Sequence, residues 1–346
     1  MIKLYSITLF ALLILGLTGC SKENIEPDPG PITPPALQTT ATLTATFGPI
    51  SYAVTATDEE KQLLSVALFI QTANGEFFSF FSDEPAGSTQ GFANLLIQDN
   101  KIITAKVTIE GQQDVNGKGI LKIVGNYAEN NLSSALKGVT AMSELTTIQH
   151  SLGGNPLQAP FITLYESDNN ADNKKFEIVG GKYDYTFKSI PRLAARIDLP
   201  LTVTVTSDKN KAITGDDRFD YFRIVEARIV NAKSDSYLLP RTNDGDILNL
   251  PQTAEYLTSA PDGYTITFYA YEMRSGDAPL EVYIVYKTRK ATDEAWVQQI
   301  RKVTVEVPVK GIERNSYYPV HTGGTLSTFE VSGVSDWDDG DDLGFG

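Results

Sequence analysis

Ala41-Thr42-Leu43-Thr44-Ala45-Thr46-Phe47 is the stretch from which the fold is read. Apolar residues at 41, 43, 45 and 47 alternate with threonines at 42, 44 and 46. Successive side chains of a strand point to opposite faces, so strict alternation marks a half-buried strand. Threonine suits that geometry because branching at Cβ fits the pleated surface. The pattern recurs at residues 64–70, 102–109, 119–124, 176–179, 197–206, 221–230, 264–271, 280–286 and 302–309. It is cleanest at Val303, Val305, Val307 and Val309, where Pro308 on the outward side predicts an edge strand or a strand end. Short strands separated by Gly, Asn and Asp predict an all-β fold of antiparallel β-sandwiches. One helical patch is expected at residues 131–145, carried by Leu132, Leu136, Val139 and Leu145.

Outward from the strands, the first twenty residues read as a targeting signal. Met1-Ile2-Lys3 is a short positive start, and residues 5–17 are nearly all apolar. That run is too short to cross roughly 30 Å of hydrocarbon comfortably, but it suits a signal h-region. It closes in Leu17-Thr18-Gly19-Cys20, which resembles the bacterial lipobox. The resemblance implies cleavage between Gly19 and Cys20 and lipidation of the Cys20 thiol. Each buried methylene contributes about 0.8 kcal/mol and one chain binds only marginally, so several chains on Cys20 would anchor the protein stably. Cys20 is the only cysteine, so no disulfide staples the chain. Residues 20–37 hold Pro27, Pro29, Pro31, Pro34 and Pro35 and read as a semi-rigid tether.

The formal charge of −14 argues against a nucleic-acid partner. With two histidines and one cysteine, little is available for metal or nucleophile chemistry. His150 and His321 are both expected on the surface. Ser134-Ala135-Leu136-Lys137 matches a serine–lysine motif, but no Ser-Asp-Asn or Lys-Thr-Gly partner follows it. Asp168, Asn170 and Asp172 have calcium-loop spacing. Asn173 stands where glycine is needed and Val179 where the bidentate glutamate is needed, so this is not an EF-hand. No glycine-rich phosphate loop or zinc-ligand cluster is present, and neither a cofactor nor a metal is expected. Residues 336–342 read as an acidic tail. The 16 Tyr, 16 Phe and two Trp supply candidate platforms for sugars or proteins. Among them are Tyr317-Tyr318, and Tyr269 with Tyr271 on one face near Tyr283.

Several further landmarks occur in order. They are Glu60 leading into Leu63-Leu64-Ser65-Val66-Ala67-Leu68-Phe69-Ile70, then Lys122-Ile123-Val124-Gly125-Asn126-Tyr127, then Arg192-Leu193-Ala194-Ala195-Arg196-Ile197-Asp198-Leu199. Phe268-Tyr269-Ala270-Tyr271-Glu272, Ile312-Glu313-Arg314-Asn315-Ser316-Tyr317-Tyr318-Pro319-Val320 and Val334-Ser335-Asp336-Trp337 follow. In this order, after a lipobox, they resemble the fimbrillin-like subunits of Bacteroidetes type V pili and related lipoproteins. The resemblance implies two tandem transthyretin-like β-sandwich domains, placed here at residues 38–190 and 191–346. It implies a structural or adhesive, non-catalytic subunit of a fimbria at the cell surface, exported as a lipoprotein of the outer membrane. Its partners would be other subunits, joined by strand exchange after a protease removes the first strand.

A sandwich lacking one strand exposes unpaired donors and acceptors that a donated strand can satisfy. Residues 41–47 suit the removable strand, and residues 325–334 the donated one. Head-to-tail donation does not close, so it builds a filament. Both segments suit equally well as permanent strands of a monomer. The family's protease cuts after arginine, yet the first arginine is Arg192, and no basic residue lies between Lys22 and Lys61. Lys61 is therefore the candidate processing site, or the first strand stays. An unprocessed subunit would keep its lipid and act as an anchor. The alternative is a surface lipoprotein that binds glycan or a host protein without polymerising.

Overall fold

A computed structural model describes residues 39–47, 57–111, 114–167, 176–187, 190–207, 211–258, 264–289, 295–320 and 328–334. The first half holds β1 (Thr39–Phe47), β2 (Val66–Gln71), β3 (Phe77–Phe81), β4 (Asn94–Gln98), β5 (Lys101–Gly111) and β6 (Gly117–Lys118). It continues with β7 (Ile120–Gly125), β8 (Gln149–Ser151), β9 (Thr163–Glu166), β10 (Glu177–Ile178) and β11 (Lys182–Phe187). Two four-stranded sheets form, in the orders β11-β1-β5-β4 and β3-β2-β7-β9. Leu43, Ala45, Val107 and Ile109 of the first sheet pack against Leu68, Ile70, Leu121 and Ile123 of the second. This is a β-sandwich with an apolar core.

The sheet β3-β2-β7-β9 is covered on both sides. Val66, Leu68 and Ile70 enter the sandwich core, while Ala67 and Phe69 enter a second apolar cluster. That is why β2 is buried at five successive residues where simple alternation was expected. The second face is capped by α1 (Ser133–Lys137) and a 3₁₀ turn at Met142–Thr147, which bury Leu136, Met142 and Leu145. The helical patch expected at residues 131–145 is therefore two short pieces, separated at Gly138.

The second half holds β12 (Ala195–Pro200), β13 (Thr202–Ser207), β14 (Ala212–Ile213), β15 (Phe222–Ala232), β16 (Asp235–Tyr237) and β17 (Ala254–Thr258). β18 (Thr265–Ala270), β19 (Leu280–Thr288), β20 (Val297–Val305), β21 (Tyr317–Pro319) and β22 (Thr328–Val334) complete it, with α2 (Asp244–Leu248) before β17. Sheets β18-β12-β21 and β14-β13-β22 share the run from β12 to β13, and the sheet β17-β15-β19-β20 lies across an apolar core. Ile197, Val203, Ala227, Ile229, Phe268, Val282, Ile284 and Val303 fill it. β20 is an edge strand that ends at Val305. Val309 beyond it is 93% exposed, so the valine alternation outlasts the strand.

The all-β fold is as expected, but the pairing is mixed. β1–β11, β12–β21 and β13–β22 are parallel pairs. The first half thus lays its opening strand beside its closing strand, and the second half lays its first two strands beside its last two. Side-chain alternation is the same in parallel and antiparallel strands, so the sequence pattern carried no sign of this. The expected boundary at residues 190 and 191 falls between β11 and β12. Contacts cross it, because β8 pairs with β16 and one apolar cluster runs through both sides.

A buried asparagine and the glycine before it fix the first half internally. Asn126, fully buried with φ 58°, accepts from Leu64 N–H at 2.8 Å and donates to the carbonyls of Gln62 and Phe161, both at 2.8 Å. Gly125 beside it lets the strand approach Thr163, since a Cβ there would lie 2.2 Å from the Thr163 hydroxyl. Asn126→Ala strands three backbone groups at once. The expected cost is about 2–4 kcal/mol. A urea titration checks it, with a lower midpoint and an unchanged slope.

Candidate functional site

β1 is the element on which strand exchange would act. It lies inside its sheet, antiparallel to β5 and parallel to β11. Ala41, Leu43 and Ala45 are buried, while Thr42 and Thr44 are half-buried, as the alternation predicted. Without β1, the facing edges of β5 and β11 would lose their ladder bonds and the core would lose one wall. β22 is placed differently. Its one neighbour among the described strands of its sheet is β13, in the parallel register Val203↔Phe329 and Val205↔Val331. Residues 325–327 of the expected donor segment lie outside the described residues.

Downstream of β1, a buried carboxylate ties the two halves together. Thr57 and Glu60 cap one turn reciprocally. Thr57 N–H donates to the Glu60 carboxylate at 2.6 Å, and Glu60 N–H donates to the Thr57 hydroxyl at 3.3 Å. Glu60 is 2% exposed. Arg196 Nη1 reaches its two carboxylate oxygens at 3.2 and 3.3 Å, and the Tyr269 hydroxyl donates to the same group. Arg192, 1% exposed, donates Nε–H and Nη2–H to the Glu60 carbonyl at 2.9 and 2.6 Å. Arg196 also pairs with Asp198, 3.0 Å from Nε. Burial works against the Arg196 charge, yet Asp198 and Glu60 outweigh it and raise the guanidinium pKa.

A second set of contacts locks the far end. Arg314 donates to Glu272 at 3.0 Å and to the carbonyls of Leu238 and Tyr237 at 2.9 and 2.6 Å. Asn315 accepts from Arg192 N–H at 3.2 Å. Most of the family-like landmarks therefore converge in space. The sequence named these residues but not their role, because Glu60 and Arg196 are far apart in the chain. The available signal was Arg192 itself, a charge set between Ile190 and Leu193-Ala194-Ala195.

The other candidates fall out as follows. Lys61 is half-exposed beside Asp58, 3.7 Å away, in the turn that carries Glu60. Gly19, Cys20, the proline tether, Asp168, Asn170, Asp172, His321 and the acidic tail lie outside the described residues. Lys137 of the serine–lysine match bonds Glu84 at 2.6 Å and Asp83 at 2.9 Å, which raises its pKa and holds it as a cation. Tyr269 and Tyr271 do not share an exposed platform. Tyr269 packs on Phe161 and bonds Glu60, whereas Tyr271 is buried against His150. Tyr317 and Tyr318 are half-buried, and Arg196 stands over the Tyr317 ring. Trp296, missed in the sequence, is flanked by Arg223 and Arg289 with guanidinium carbons 4.8 and 5.0 Å from its ring. Among the described residues no group of three or more His, Cys, Asp or Glu is placed to hold a metal, and no helix is long and apolar enough to cross a membrane.

Comparison with known proteins bears on the fold. No family model matches the chain, and no curated protein does. Solved structures do. A "putative cell adhesion protein" from Bacteroides eggerthii DSM 20697 superposes with a TM-score of 0.51 at 12% identity, over 85% of this chain and 87% of that one. A like-named protein from Parabacteroides distasonis ATCC 8503 gives 0.46 at 14% identity, over 86% and 94%. A fimbrial assembly protein from the same organism gives 0.42 at 13% identity, over 82% and 90%. At these identities the likeness concerns the fold alone. The fold of the Bacteroides eggerthii protein agrees with the fimbrillin-like resemblance read from the sequence.

His150 corrects a sequence expectation, since it is buried, in hydrogen-bond contact with the Tyr271 hydroxyl, on the strand that pairs with β16. Burial pushes its pKa below the ordinary 6.5, against smaller opposing pulls from Asp235 and the Asn130 carbonyl. The unfolded chain therefore takes up this proton at a higher pH than the folded one. The stability it confers is complete above about pH 6.5 and is lost as pH falls through the lower folded pKa. Unfolding free energies at pH 7 and pH 5 check this. His150→Gln is expected to lose less between the two than the wild type, and equal losses contradict the assignment.

Proposed function

We propose that this protein is a non-catalytic subunit of a cell-surface adhesive fibre. Lipid on Cys20 holds it to the outer membrane, and β-strand addition joins it to other subunits. Residues 38–190 and 191–346 serve as its two sandwich domains. The placement of β1 carries this reading. It is a nine-residue central strand whose inward residues fill a core and whose two neighbours would be left with open edges. β22, paired among the described strands of its sheet to β13 alone, supplies the segment that can leave for a neighbour. The fold shared with the Bacteroides eggerthii protein supports the same reading.

Among the roles open to such a subunit, the anchor fits best. The chain has no arginine before Arg192, and Lys61 sits in a bonded turn. A subunit that keeps β1 keeps its covalent link to Cys20. It would lie at the base of the fibre and offer its C-terminal strand outward.

A second reading draws on the arginine-flanked Trp296, with Arg223 exposed beside it. Such a cluster suits a glycan or a protein held by a lone surface lipoprotein. Gels of material released from cells without boiling separate the two. A fibre subunit is expected in ladders that survive mild denaturant and collapse on boiling. Deleting residues 325–346 should remove this chain from them. A monomer under all conditions favours the lone lipoprotein.

A further inference from the structure

Lys61 has the side chain of a protease site but not the backbone of one. Its ammonium is reachable, with 43% of the side chain exposed. The peptide bond that follows it is held on both sides. Upstream, Glu60 is bound through its carbonyl by Arg192 and through its carboxylate by Arg196, Tyr269 and Thr57. Downstream, Asn126 holds the Gln62 carbonyl and the Leu64 N–H, and Leu63 is 3% exposed. Lys61 N–H and Gln62 N–H close turns onto Asp58 and Glu59 at 3.2 Å. A protease must draw several residues on each side of the bond into an extended strand. Here that means breaking a buried ion pair and pulling Leu63 from the core, so cleavage waits on local opening.

We infer that the Lys61–Gln62 bond is a latent cleavage site, held shut by a clamp centred on Glu60. The reagent it takes is a lysine-specific endopeptidase with water. Hydrolysis would leave a carboxylate on Lys61 and a new amine on Gln62. The cut would break the only covalent path from residues 62–346 to Cys20. β1 would stay in place through its bonds to β5 and β11 until another strand competed for its groove. Freeing the subunit would thus take two separable steps, opening the clamp and displacing β1, and while the clamp holds, the chain stays an anchor.

The clamp is argued from this chain's own contacts and stands or falls apart from the fibre reading. The test is native digestion of the purified chain 20–346 with a lysine-specific endopeptidase, following the fragment that begins at Gln62. Lys310, exposed in a turn, is the reference site, and Lys122, buried in β7 against Glu166, reports global unfolding. In the wild type, cleavage at Lys61 should be at least about tenfold slower than at Lys310. Glu60→Gln and Arg196→Gln should each speed the Lys61 cut about tenfold while Lys310 holds its rate and Lys122 stays uncut. Wild-type cleavage at Lys61 as fast as at Lys310 overturns the clamp. So does the absence of acceleration in both variants. Acceleration matched at Lys122 also overturns it, because the variants would then be unfolding as a whole.

Discussion

A carboxylate held out of water organises this molecule. Glu60 is almost fully buried, and a buried charge is tolerated only when ion pairs and hydrogen bonds replace its lost hydration. Arg196, Tyr269 and Thr57 do so, and Arg192 adds a second grip on the same residue's carbonyl. Removing one partner would leave the others buried and uncompensated, so the set acts as a unit. Its members come from the turn after β1, from the segment that opens the second half and from β18. The contact therefore joins three parts of the chain that share no local sequence.

The rest of the architecture follows the same economy. The sheet β3-β2-β7-β9 is buried on both faces, so it serves two cores at once. Its cross-strand pair Lys122–Glu166 is charged and buried, and Lys233 pairs with Asp277 in the second half with side chains 0% and 2% exposed. Such pairs add little net stability but penalise any register that separates them. β1 is held by two neighbours and by the core, while among the described strands β22 has one neighbour in its sheet. That asymmetry, with the clamp beyond β1, holds the start of the described chain more firmly than its end.

Much of this was legible in the sequence, for physical reasons that differ by element. Residues 41–47 were readable because one face of β1 meets the core and the other does not, so alternation survives. β2 was harder, because Val66 to Ile70 are buried throughout and a strand covered on both faces leaves no period to count. The parallel pairings were invisible, since pleat alternation does not depend on strand direction. Val309 misled in the opposite way, continuing a pattern after the backbone had left the sheet at Val305. His150 reads as a surface residue because it follows a polar stretch, and nothing local shows that Tyr271 covers it. The residues of the clamp were noticed as landmarks, but pairing across more than a hundred positions is a property of the fold.

The account turns on whether the chain keeps its first strand and carries the lipid proposed on Cys20. Intact mass and N-terminal sequence of the protein taken from the cell surface decide this most directly. A chain that begins at acylated Cys20 and runs unbroken through Lys61 is the expected result. A chain that begins at Gln62, with no acyl mass, would contradict it, because the bond that the clamp protects would have been cut.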